Sequence, residues 1–210
     1  CNADLVSARN LIYDSETKSR MYVREGIEPS LLTTFGYQFN CDTGIIDRKV
    51  TTYGELGLSS VRFGLKNWEL KTGGVLPLFE RNTFKVVNDL DFSAGRVDTR
   101  NFVSYKFAFG DECAVGFYKR NWFIAATAEY ERIVLNHIRN TRFYRVNFYE
   151  DAKDGWYKGA GGMFQFGFEG GRKITKKYDM HLEIMMPFTE KFDGYGGSPL
   201  HLNIELGYRY

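Results

Sequence analysis

Side chains able to do nucleophilic, metal or acid–base chemistry are sparse in this chain, which has three His and three Cys among 210 residues. Ser198 precedes His201 in a Ser-x-x-His pair, but hydrolysis needs a third group to orient the base, and nothing nearby supplies one. His181 and His201 fall on facing strands of one hairpin, near opposite ends and about 20 Å apart by strand rise, too far to share a metal. His137 falls in a polar loop. Cys1, Cys41 and Cys113 make an odd set without zinc spacing, and no carboxylate loop fits calcium. Gly159-Ala160-Gly161-Gly162 lies inside a strand pattern, not before a helix, so it reads as curvature and not as a phosphate loop. The expectation is no catalytic residue, no cofactor and no metal.

What remains is a set of charges that all fall on one side of alternating segments. The final stretch shows this best: Leu200, Leu202, Ile204, Leu206, Tyr208 and Tyr210 take one face, and His201, Asn203, Glu205, Gly207 and Arg209 the other. Its length is roughly the 9–11 residues that a tilted strand needs to cross a bilayer. The same alternation runs through Leu31–Phe39, Thr52–Leu65, Trp68–Phe79, Phe84–Phe92, Phe102–Phe109, Cys113–Phe117, Trp122–Tyr130, Trp156–Phe168 and Tyr178–Phe188. Ten strands are expected, with Gly110-Asp111-Glu112 as a turn. Eight is the alternative, with Val103 to Phe117 as one strand and Thr52 to Leu78 merged through a bulge, but that places Asp111 on the lipid side at a cost of about 2–4 kcal/mol. Residues 1–30 read as an N-terminal segment and 31–210 as the barrel domain. Asn136 to Asp154, rich in Arg, is the long outer loop, and both chain termini lie at the periplasmic side if the last strand descends.

Aromatic content of 17% and 22 Gly favour an all-β chain. No apolar run is long enough for a membrane-crossing helix, which leaves strands unaffected because only alternate residues meet lipid. A net charge of +2 gives no reason to expect a nucleic-acid partner. The polar faces assemble an expected lumen network of Arg62, Lys106, Glu129, Glu169, His181, Glu183, Glu205 and Arg209. Glu183 and Glu205 are expected nearly opposite each other, with Arg62 and Lys106 as the cations between them. Such a network either fills a narrow barrel or lines a selective pore. Trp122 and Tyr130, eight residues apart on one face, and Trp156, Tyr208 and Tyr210 are expected as interfacial aromatics.

The Tyr208/Tyr210 ending, the Trp122/Tyr130 pair and the Gly- and Phe-rich Trp156 to Phe168 strand resemble small outer-membrane β-barrel proteins of Gram-negative bacteria. The likeness is to Phe/Tyr/Lys/Asn-rich Bacteroidetes-type barrels in the OmpA/OmpX-like class, and it covers about Leu31 to Tyr210. It implies a closed antiparallel up-and-down transmembrane barrel in the cell outer membrane, contact with outer-membrane lipid, and assembly by the barrel-insertion machinery. It also implies a non-enzymatic structural, binding or accessory role, with protein partners in a larger outer-membrane complex. The His-x-Ser pattern of lipid-deacylating barrels is absent. Cys1 resembles the lipid-modified residue left by bacterial lipoprotein processing. The rival reading from another class is a soluble lipocalin-like barrel, whose apolar faces point inward around a ligand.

Overall fold

The computed structural model describes residues 19–27, 31–42, 49–60, 66–159, 161–192, 194 and 199–210. Alternating sequence becomes β1 (Ser19–Ile27), β2 (Leu31–Asp42), β3 (Lys49–Ser59), β4 (Trp68–Arg81), β5 (Phe84–Asp98), β6 (Phe102–Tyr118) and β7 (Trp122–Asn140). A short helix α1 (Arg142–Asn147) and strand β8 (Gly155–Lys158) follow, then β9 (Gly162–Lys173), β10 (Tyr178–Thr189) and β11 (His201–Arg209). Each barrel strand pairs antiparallel with its neighbours, β9 joins β7, and β1 joins β11, so the sheet closes as a barrel of ten strands. β8 stands outside that count, since it pairs only with the far end of β7, over Leu135–Ile138.

The two ends differ. Asn82-Thr83, Lys119–Asn121 and Ile174–Lys177 make short turns at the end where Tyr210 meets Ser19, its amide donating to the Ser19 carbonyl at 3.1 Å. At the other end lie the longer connections between β3 and β4, β7 and β9, and β10 and β11. Asn82 sits at φ 56°, the left-handed geometry that a two-residue hairpin turn requires.

The expected count is met through two compensating differences. Ser19–Ile27 is a barrel strand, so the barrel begins before Leu31 and Arg20, Tyr22 and Arg24 face inward. Phe102–Tyr118 is one continuous strand, because it pairs along its length with both β5 and β7. Asp111 therefore does face outward, in the wall, where the Asn88 amide donates to its carboxylate at 2.6 Å. Further boundaries move: β3 ends at Ser59 and β5 runs on to Asp98. Residues 136–140, including His137, extend β7 above the wall, and the expected Trp156 to Phe168 strand breaks at Gly159 and Gly161 (φ 61° and 113°) into β8 and β9. Residues 1–18 of the expected N-terminal segment, with Cys1, and Arg62 of the expected network lie outside the described residues.

Side-chain polarity is inverted relative to a soluble barrel. Phe92, Phe168, Leu206 and Ile124 are exposed on the outer surface at 63%, 65%, 58% and 52%, while Arg20, Asp179 and Glu205 inside are at 0–1%. This overturns the lipocalin-like alternative: an exterior of this kind is unfavourable in water and stable in lipid.

Candidate functional site

The lumen is built by the inward residue of every strand pair, and it has two unlike halves. Near the short turns, Arg20 from β1 lies between Asp179 of β10 and Glu205 of β11, at 2.5 and 2.6 Å. Arg209 reaches the second oxygen of Asp179 at 3.2 Å and donates to the Thr175 carbonyl at 2.8 Å. The space for these groups is made by inward glycines. A Cβ on Gly207 would collide with the Arg20 guanidinium, and one on Gly36 with the Tyr22 ring. The Tyr22 hydroxyl donates to Glu55 at 2.5 Å and Tyr53 donates to Asp89 at 3.0 Å.

Beside this ionic cluster stands an apolar one. Tyr118 and Phe123 stack at 5.2 Å with planes 5° apart, and Val75, Val87, Ala114 and Ala125 pack with them. Phe123 also meets the His181 ring at 5.5 Å, and His181 bonds Glu169 at 3.0 Å. Both clusters exclude solvent from their centres: Arg20 and Val75 are 0% exposed.

Towards the long loops the lumen opens into a polar vestibule of about 100 Å³. Lys71 reaches Asp91 at 3.0 Å and Glu129 at 3.8 Å, and Lys106 reaches Glu69 at 3.1 Å and Glu131 at 3.6 Å. Gln165 donates to Glu129 at 3.1 Å and bonds His201 Nδ1 at 2.9 Å, linking three strands. Asn203 donates to Glu183 at 2.9 Å. Among the described residues, inward carboxylates outnumber inward cations, and no group of three or more His, Cys, Asp or Glu is placed to hold a metal.

The expected network residues other than Arg62 are all inward, but their partners differ. The β10–β11 register sets Glu183 against Asn203 and His181 against Glu205, so the two glutamates do not face each other. Lys106 serves Glu69 and Glu131, and the cation beside Glu205 is Arg20. Arg20, Lys71, Asp89, Asp91, Glu112 and Asp179 were missed. For Arg20 the signal exists: Arg20, Tyr22 and Arg24 alternate with Met21 and Val23. The five expected interfacial aromatics all lie on the outside. Trp122, Tyr208 and Tyr210 stand near the short turns, Tyr208 and Tyr210 edge to face at 4.9 Å. Tyr130 packs on Phe164 at 4.6 Å and donates to Glu190 at 2.8 Å, while Trp156 lies beyond the wall on β8, against His137 at 4.8 Å.

A closed antiparallel barrel with an apolar exterior, an ionic interior, short turns at one end and long loops at the other is a transmembrane barrel of the outer-membrane type. No family model and no curated protein matches the chain. Solved structures similar to it include the KdgM porin, at 8% identity and TM-score 0.45, over 91% of this chain and 99% of that one. The same porin in complex with disordered oligogalacturonate gives 8% identity and TM-score 0.47 over the same shares. The outer membrane protein Omp33 of Acinetobacter baumannii gives 7% identity and TM-score 0.40, over 92% of this chain and 98% of that one.

Proposed function

We propose that this chain is a non-enzymatic outer-membrane barrel whose lumen is closed in the resting state, and which acts through its outer loops and outer wall in a binding or accessory role. The supporting observation is the pair of solvent-excluded clusters inside the barrel: Arg20 with Asp179 and Glu205, and Val75, Val87, Tyr118 and Phe123. A hydrated ion would have to displace buried charges from their partners and open a close-packed apolar cluster, each of which costs several kcal/mol. The long loops face outside, the short turns face the periplasm, and β11 carries the aromatic ending read by the insertion machinery. Within this reading the chain fits the small OmpA/OmpX-like class, and it has partners in a larger outer-membrane complex.

Reconstitution of pure protein in planar bilayers tests the closed lumen. No regular conductance steps are expected, and stepwise openings at low voltage in every active bilayer contradict it. The second reading is a narrow gated channel. It is favoured by the polar vestibule and its excess of carboxylates, which would select cations once the lower layer parted.

A further inference from the structure

The outer wall carries a furrow of about 810 Å³, lined by Leu70, Phe92, Ala94, Phe107 and Val134 with small residues along its floor. Two other outer furrows lie towards the short turns, one between Tyr178 and Tyr37 and one between Trp122 and Met180. Of these three, the furrow beside Phe107 lies in the half nearer the long loops. Continuing on the same face, two residues beyond Ala94, is Arg96, whose guanidinium lies 5.6 Å above the ring of Tyr105. Tyr105 lies 6.4 Å from His137, which lies 4.8 Å from Trp156, so a row crosses four strands at the top of the furrow. Arg139 and Lys158, both exposed, flank His137 and Trp156 on that face, and the acid bonded within the row is Asp98, at 3.0 Å from Arg96. At about 3.3 Å of rise and a tilt near 40°, Arg96 and Tyr105 stand about 30 Å above the periplasmic turns, at the outer edge of the hydrocarbon.

We propose that this furrow and row form a binding site for a phosphorylated, multiply acylated glycolipid of the outer leaflet. An acyl chain lies along Ala94 between Phe92 and Phe107. A phosphate is held by Arg96 and Arg139, whose planar guanidinium groups suit its oxygens. The rings of Trp156 and His137 lie in the same row as Tyr105, where they present faces to sugar rings, and an apolar groove running into cations on one face suits an anionic amphiphile better than a neutral one. The inference rests on the membrane reading of the exterior. It is independent of whether the lumen conducts.

Native mass spectrometry of the full chain in detergent tests it, with a bisphosphorylated diglucosamine lipid, its dephosphorylated derivative and phosphatidylglycerol as probes. The bisphosphorylated lipid should be retained at least tenfold more tightly than either of the others. Arg96→Gln with Arg139→Gln should lower retention about tenfold, while Arg120→Gln, in the turn at the opposite end, should leave it unchanged. Equal retention of the dephosphorylated lipid, retention of phosphatidylglycerol as tight, or an unaffected double variant overturns the proposal. Ala94→Phe fills the furrow without touching a charge, so it gives a second arm if the double variant does not fold; unchanged retention there also overturns the proposal. Failure of these tests leaves the bilayer experiment on the closed lumen standing.

Discussion

The cation that organises the half of the lumen nearer the short turns is Arg20, with no exposed surface and two carboxylates within 2.6 Å. Removing one member of a buried ion cluster leaves its partners charged in a medium that cannot solvate them. Arg20→Ala is therefore expected to destabilise the barrel by about 3–5 kcal/mol, the range for a buried pair that loses one partner, as read from urea unfolding in detergent. A loss under about 1 kcal/mol would mean that water reaches this layer. In the outer loop, Asp154 accepts from Arg145 at 2.6 Å and from the Asn140 amide at 2.8 Å, and these bonds hold its carboxyl down at about 2. The folded value lies below the unfolded one, so the tether is complete above the ordinary aspartate range near 4 and is lost as pH falls through about 2. Carbon-detected NMR titration of Asp154 should give a midpoint near 2; an ordinary aspartate midpoint would remove the tether.

At the scale of elements, the sequence reveals what its alternation exposes and hides what depends on pairing. β10 and β11 are legible because every second residue is apolar and the opposite face is polar except at Met185 and Pro187 of β10 and Gly207 of β11. β1 is hidden, because its inward face carries Tyr22 and its outward face carries Glu25, which accepts from Thr33 and Ser60 near the outer rim. The Gly110-Asp111-Glu112 tripeptide has turn composition, and only the neighbours Asn88 and Tyr130 in adjacent strands show that the chain runs straight through it. Charged lumen residues are individually legible by parity. Their partners are not, since a shift of two residues in the β10–β11 register moves Glu205 from Glu183 to His181. A chain beginning at Leu31 tests the role of β1 directly. It leaves β2 and β11 as unpaired edges and Asp179 and Glu205 without Arg20. It should fail to give the compact, heat-sensitive band of a folded barrel on unheated gels, whereas a barrel complete from Leu31 onward would still give it.

For the whole molecule, inside-out polarity and closure are what make the chain a membrane barrel, and they separate its surfaces by role. The lumen is lined by ion pairs and a small apolar cluster, the exterior is apolar, and α1 and β8 lie at the end of the long loops. Spin labels placed one at a time from Leu202 to Tyr208 along β11 read this arrangement in liposomes. Oxygen accessibility should peak at Ile204, Leu206 and Tyr208 and drop at Asn203, Glu205 and Gly207, with a water-soluble nickel complex excluded from the peaks. Ready collision of the nickel complex with labels at Ile204 and Leu206 would place that face in water and contradict the account.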